Sequence, residues 1–349
     1  MFTLMLPCAG RSSRYPNRRP KWSLTHPSGR LMIEQGIMGL DLSNFNAVCM
    51  AALKEDIEKY KLRDAIYKTF EKLELEFTLV ELKTPTNSQS ETVASMIKNA
   101  NIEGNIFIKD CDGYFEAEDI FPNSVCVYSL HQLEEIIAKN KSYVEIDKNE
   151  CIKTIVEKKV ISELFCCGGY SFKDAKLFLD TFGEVKKIAS EEEIYISHII
   201  FQLLIKGHNF KILKTNNFID WGTLRDWDNY KDQYKTIFTD LDGVLVENSS
   251  EHFPPYWGTT NAISKNVDTL NKLYDSGKVR IIITTSRKSL YKDVTLTQLK
   301  KLGIKYHNII FDLLHCERII INDYSLTNSF PTCKAINIER DSHNLDTFL

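Results

Sequence analysis

The chain has 349 residues, 43% of them hydrophobic and 26% charged, with a formal net charge of -3. That length and apolar share exceed what one ordinary core needs and leave no case for disorder, so two globular domains are expected. Interspersed signs provide no basic stripe for a nucleic-acid backbone, and no apolar run approaches the roughly 20 residues that cross a bilayer, so neither a nucleic-acid partner nor membrane insertion is expected. From Phe2 to about Phe107 short apolar runs alternate with amphipathic stretches: a buried first strand at Phe2 to Leu6, then Asn46 to Ala51, Glu55 to Phe70, Phe77 to Leu82 and Thr92 to Ala100. The alternation predicts an α/β domain with a mostly parallel, doubly wound sheet. A second alternation starts at Thr236 to Thr239 and runs through helix-like Ser264 to Tyr274, strand-like Val279 to Ile283, helix-like Leu290 to Leu302 and strand-like Ile319 to Ile321. This restart puts a domain boundary near Lys235, after a polar stretch, Asp226 to Lys235, that reads as a closing helix or a packed connector.

The first strand runs into Leu6 to Lys21, LPCAGRSSRYPNRRPK. Small residues let the backbone of Ala9, Gly10, Arg11, Ser12 and Ser13 approach phosphate oxygens, and Arg11, Arg14, Arg18, Arg19 and Lys21 supply charge to neutralise a triphosphate. Further on, Ser88-Gln89-Ser90-Glu91-Thr92 opens a helix after a strand, where Gln89 and Thr92 are placed to read a base edge or a ribose. Phe107 to Asp112 ends a buried strand in two carboxylates, Asp110 and Asp112, at the strand end where α/β sheets carry functional groups.

These segments, in this order, resemble sugar-phosphate nucleotidyltransferases of the pyrophosphorylase type. The resemblance implies that Arg14 and Lys21 are the signature arginine and lysine, although Ser12 stands where the family usually has a second glycine. It implies a Mg²⁺-holding aspartate at the strand end, with Asp112 favoured and Asp110 its rival, and a second metal aspartate at Asp220, in Asp220-Trp221-Gly222-Thr223. Glu157 and Lys158, followed by a strand containing Gly169, resemble the contacts to the acceptor sugar phosphate. The implied fold is a Rossmann-like mixed sheet of the GT-A kind. The implied reaction is Mg²⁺-dependent transfer of CMP, with UMP the other choice, from CTP or UTP to a sugar or polyol phosphate, as in capsule or surface-polysaccharide synthesis. A compact domain and a shortened basic loop look more like cytidylyltransferases.

In the second half, Thr236 to Leu245 is a strand running into Asp240-Leu241-Asp242-Gly243. It resembles the first motif of haloacid dehalogenase (HAD) phosphohydrolases, which implies Asp240 as nucleophile, Asp242 as acid and base, and Mg²⁺ held with Asp323 of the Ile319-to-Asp323 run. Thr285 and Ser286 match the second motif, and Arg318 is the best-placed cation for the third, with Lys288 and Lys292 as rivals. Little chain separates the first two motifs, so a small Rossmannoid domain without a large cap is expected. The reading is therefore a bifunctional enzyme, residues 1–235 and 236–349. Its alternatives are a HAD half without activity that serves as a binding or oligomerisation module, and a nucleotide-binding regulator. The acceptor's identity and homo-oligomer formation stay open. The acidic run Glu191 to Glu193 reads as the first turn of a helix, and the nine cysteines, with no CxxC pair, fit reduced thiols in a cytoplasm.

Overall fold

The computed structural model describes residues 1–132, 140–188, 193–323 and 332–349. The chain divides into two compact units, Met1–Asp228 and Asn229–Leu349. In the first, the strands are β1 (Phe2–Pro7), β2 (Phe45–Leu53), β3 (Glu76–Leu82), β4 (Ile106–Lys109), β5 (Gly113–Glu116), β6 (Ser124–Ser129), β7 (Ser142–Ile146), β8 (Ile152–Glu157), β9 (Leu164–Phe172), β10 (Lys211–Lys214) and β11 (Asn216–Asp220). The helices are α1 (Met32–Ile37), α2 (Lys54–Lys59), α3 (Arg63–Glu71), α4 (Gln89–Asn99), α5 (Ala175–Ile188) and α6 (Ile196–Ile205), and α7 (Leu224–Lys231) runs through the division at Asp228.

The main sheet runs β10-β6-β9-β4-β1-β2-β3, with β7 and β8 attached beside β9. β4, β1, β2 and β3 are parallel, as the alternation up to Phe107 predicts. Beyond them β9 enters antiparallel to β4 and β6 antiparallel to β9, so the whole sheet is mixed. The central strand shows why two layers of helix are needed. Met5 belongs to the core cluster with Val93, Ile97, Phe178 and Ile199 of α4, α5 and α6. Leu4 and Leu6 belong to the opposite one with Ile66 and Phe70 of α3. Successive side chains point to opposite faces, and a strand covered on both reads as a near-continuous apolar run, here Leu4, Met5 and Leu6.

The amphipathic stretch Glu55 to Phe70 forms two helices, because the chain turns at Lys61 with φ 54° between α2 and α3. One expectation needs correction. α6 begins at Ile196, leaving Glu193 outside the helix; Glu191 and Glu192 lie outside the described residues. β5 and β11 form a separate antiparallel pair that brings Asp220 level with Gly113.

The second unit contains β12 (Lys235–Asp240), α8 (Ser264–Asp275), β13 (Val279–Thr284), α9 (Lys292–Lys301) and β14 (Asn308–Ile310). Its strands form a parallel sheet in the order β12-β13-β14, over a core that includes Leu241, Leu245, Leu270, Ile281, Ile283 and Leu299. The strand expected at Ile319 to Ile321 is absent: these residues are irregular and 75%, 56% and 92% exposed. A β-branched run fits a pleated surface, but it becomes a strand only where an edge pairs with it, and among the described residues the sheet ends at β14.

Candidate active site

The loop after β1 is fixed at both ends. The Cys8 N–H donates to Ala51 O at 2.9 Å, and the buried Tyr15 sends its hydroxyl to the Trp221 carbonyl. Ser12 takes φ 48°, a left-handed conformation that explains why glycine would suit this position. The serine compensates locally, since its hydroxyl oxygen accepts from Lys21 N–H at 3.3 Å and its carbonyl accepts from Tyr15 N–H at 2.8 Å. Gly10, Arg11, Ser12, Ser13 and Arg14 line an open cleft of about 750 Å³, whereas Ala9 is buried in the core behind them. Arg19 instead turns toward Thr25 Oγ1 at 3.4 Å.

Lys21 and Arg14 converge on one carboxylate. Lys21 Nζ lies 2.5 Å from Asp112 Oδ2 and Arg14 Nη2 lies 3.7 Å from the same oxygen. Burial alone would raise the Asp112 carboxyl, but Lys21, with Arg14 and Lys141 behind it, holds it well below the usual carboxylate range. Burial likewise pulls the Lys21 ammonium down, and Asp112 carries it above its ordinary value. Asp220 lies beside this pair, because Trp221 N–H donates to Asp112 O at 2.9 Å. Its Oδ1 accepts from Gly222 N–H at 2.9 Å and its Oδ2 is paired with Lys141. A side chain at Gly222 would place Cβ 2.9 Å from that Oδ1, so glycine is needed for the approach.

Asp110 is differently placed. The Gln89 amide donates to its Oδ1, and a Cβ on Gly168, which has φ +90°, would sit 2.6 Å from its Oδ2. Burial and the charge of Asp112 push the Asp110 carboxyl up. Beneath it Lys109, fully buried, donates to the carbonyls of Asp110 and Gly113, each at 2.8 Å, and lies 4.6 Å from the Phe115 ring centre. The 110–113 turn is thereby tied by an internal cation, with burial lowering that ammonium's basicity.

Oxygen donors from Asp112 and Asp220, side by side and facing the cleft, fit a hard cation such as Mg²⁺, which needs few protein carboxylates when phosphates complete its shell. Among the described residues no group of three or more His, Cys, Asp or Glu side chains forms a cage of its own. Asp110, engaged by Gln89, does not join the other two.

On the far side of the cleft, Glu157 Oε2 accepts from Ser142 Oγ and, at 2.8 Å, from Ser197 Oγ. Lys158 has φ 55°, donates to Tyr195 Oη and lies 4.4 Å from that ring's centre. Tyr195 in turn donates to Glu193. Gly169 does not line the cleft; a Cβ there would lie 2.6 Å from Cys126 Sγ, so it packs inward and Gly168 faces outward, as strand alternation requires. Ser88 caps α4 by accepting from Glu91 N–H at 3.2 Å, Gln89 reaches Asp110, and Thr92 is held by Thr86 at 2.6 Å.

In the second unit Asp240 ends β12 level with Thr284, and its Oδ1 lies 3.0 Å from Arg318 Nη2. Asp242 is gripped by Arg287, which is fully buried, and also accepts from Ser249 Oγ at 2.6 Å. Thr285 is buried, its hydroxyl accepting from Arg287 N–H at 3.1 Å, while Ser286 is half-buried. Lys288 pairs with Glu251 at 2.8 Å. Asp323 lies on the irregular, exposed segment and is not held at the sheet end by a strand. Lys141 and Arg287 were missed by sequence reasoning, since each sits in a polar stretch and only its distant partner gives it meaning.

No protein-family model and no curated protein sequence matches the chain. Its fold is similar to that of a nucleoside-diphosphate-sugar pyrophosphorylase from Vibrio cholerae RC9, with TM-score 0.55 and 20% identity over 65% of this chain and 99% of that one. It is similar to a putative glucose-1-phosphate thymidylyltransferase from Bacillus anthracis, with TM-score 0.52 and 17% identity over 66% and 93%. An apo UDP-glucose pyrophosphorylase matches with TM-score 0.51 and 14% identity over 67% and 100%. At these identities the likeness is one of fold, a mixed α/β architecture with a parallel-rich sheet. No helix among the described residues is long and apolar enough to cross a membrane.

Proposed function

We propose that the first unit is a Mg²⁺-dependent nucleotidyltransferase that moves a nucleoside monophosphate, CMP in preference to UMP, from its triphosphate to a sugar or polyol phosphate. The observation that carries this reading is the convergence of Lys21 and Arg14 on Asp112, beside Asp220, in a cleft that also carries Glu157 and Lys158. The proteins that share the fold are named for pyrophosphorylase or thymidylyltransferase activity, which agrees with it.

An oxygen of the acceptor phosphate attacks the α-phosphorus in line, and the bond to the β-phosphate breaks with its electron pair leaving on pyrophosphate. The nucleophile is already an anion, so no strong base is required and positioning with charge neutralisation does the work. The backbone from Gly10 to Ser13 cradles the phosphates, Arg14 and Lys21 neutralise the departing pyrophosphate, and Gln89 faces the base or ribose. Asp112 and Asp220 would hold Mg²⁺, which when bound supplies a divalent counter-charge to the phosphates. Pyrophosphate release, measured with each of the four nucleoside triphosphates against a panel of sugar and polyol phosphates, tests the reading. CTP should give the fastest release, and no release with any pair would leave only nucleotide binding.

For the second unit we propose Mg²⁺-dependent phosphomonoester hydrolysis, with Asp240 attacking phosphorus and Asp242 serving the leaving oxygen and the incoming water. The placement of Asp240 at the end of a parallel strand, level with Thr284, supports it. Arg318 on Asp240, Arg287 holding both oxygens of Asp242, and Asp323 on an irregular segment favour the second reading of a binding or oligomerisation module. A broad phosphate-ester panel separates the two, since turnover of any member excludes a purely structural unit.

A further inference from the structure

Among the described residues five cations line the cleft, and neither the resemblance nor the proposed chemistry gives a role to the fifth, Lys141. Arg11, Arg14 and Lys21 come from the loop, and Lys158 is turned onto Tyr195. The fifth, Lys141, stands just before β7, and its carbonyl accepts from the Lys158 N–H at 3.0 Å, so it belongs to the same hairpin as the acceptor-side pair. Its ammonium, however, reaches Asp220 Oδ2. Lys141 therefore joins the acceptor side of the cleft to the carboxylates proposed to hold the metal.

Its environment suits a fixed charge. The side chain is only 25% exposed, and Nζ lies 5.2 Å from the centre of the Phe218 ring. The reaction must bring an anionic acceptor oxygen up to an anionic α-phosphate, and a preorganised cation at that meeting point lowers the repulsion most where water is scarce. Lys158, engaged with Tyr195 and exposed, is less suited to that point than Lys141.

We propose that Lys141 holds the acceptor's phosphate at the reacting centre, an assignment that rests on the nucleotidyltransferase reading of this cleft. The ammonium donates hydrogen bonds to non-bridging acceptor oxygens while another oxygen of that phosphate bonds to the α-phosphorus. The α–β phosphoanhydride bond breaks and pyrophosphate carries away its electron pair. Lys141 keeps its protons throughout.

The test uses the full chain with Lys141→Met and Lys141→Arg, and the triphosphate and acceptor phosphate that the unaltered protein turns over. Loss of a charge-assisted hydrogen bond should raise the acceptor KM roughly 10- to 100-fold in Lys141→Met. The Kd of the triphosphate, measured by calorimetry without acceptor, should stay within about twofold, on the same physical ground that its phosphates meet the loop cations. Lys141→Arg should recover part of the acceptor KM, and it carries the comparison alone if the methionine variant does not fold. Equal weakening of triphosphate and acceptor, with a raised Mg²⁺ requirement, would make Lys141 a strut for Asp220 and overturn the assignment. Absence of pyrophosphate release from the unaltered protein with every pair would instead remove the nucleotidyltransferase reading, and the assignment with it.

Discussion

Arg287 closes a two-pronged ion pair on Asp242, its Nε 2.8 Å from Oδ2 and its Nη2 2.8 Å from Oδ1. The remaining nitrogen, Nη1, donates to Gln298 Oε1 at 2.8 Å and Thr295 Oγ1 at 3.2 Å, both on α9. One buried side chain thus ties the turn after β12 to a helix. Arg287→Met removes the cation from a partly buried carboxylate and from a buried glutamine, and about 3–5 kcal/mol, the cost of breaking a fully buried pair, is the upper limit of the loss. Urea unfolding followed by hydrogen exchange of the β12 and β13 amides should show early opening of the second unit. Lys at this position should rescue little, because an ammonium cannot reproduce the fork. Unchanged protection in Arg287→Met would show that the pair is not holding the unit together.

Gly168→Ala should destabilise the first unit and weaken nucleotide binding together. The backbone there has φ +90°, and an added Cβ would meet Asp110 Oδ2 at 2.6 Å. The left-handed conformation alone costs a non-glycine residue about 1–2 kcal/mol, and displacement of Asp110 would also break its bond to Gln89. A lower Tm with a weaker Kd for the triphosphate is expected. An intact Kd would show that the Asp110–Gln89 contact is not used by the ligand.

Stability should fall as pH drops through the window from 6.5 to about 4. Burial, with a smaller contribution from Arg30, lowers the His26 pKa from 6.5 to about 4, and its Nδ1 accepts from Ser28 N–H at 3.0 Å. The folded ring is neutral where the unfolded one has taken a proton, so the unfolded state binds more protons across that window and gains from acid. His26→Gln should flatten this part of the stability–pH curve. A curve with the same slope in the variant would assign the loss to other groups.

Lys21→Met should lower kcat by about 10²–10³-fold with a smaller change in the KM of the triphosphate, the signature of a charge that acts mainly on the departing pyrophosphate. An unchanged kcat with a large rise in KM would reduce Lys21 to a ground-state binding residue.

Much of the first unit was legible in the sequence because its signals are local and ordered along the chain. A strand ending in small residues, a capped helix at Ser88 and a strand ending in Asp110 and Asp112 each declare themselves within a few residues. The choice between the two aspartates was not legible. Both end the same strand, and they part only where Gln89 and Gly168 meet one while Lys21 and Arg14 meet the other. Lys141 and Arg287 gave no local signal, since their meaning comes from Asp220 and Asp242 far along the chain. Ile319 to Ile321 misled for the converse reason: a strong local strand signal has no paired edge to act on.

The most direct test of the central claim compares pyrophosphate release by the intact protein, Asp112→Asn and Asp240→Asn, with Mg²⁺, CTP or UTP and the panel of sugar and polyol phosphates. Release by the intact protein and by Asp240→Asn is expected, together with its loss in Asp112→Asn. Release that survives Asp112→Asn, or that disappears with Asp240→Asn, would contradict it.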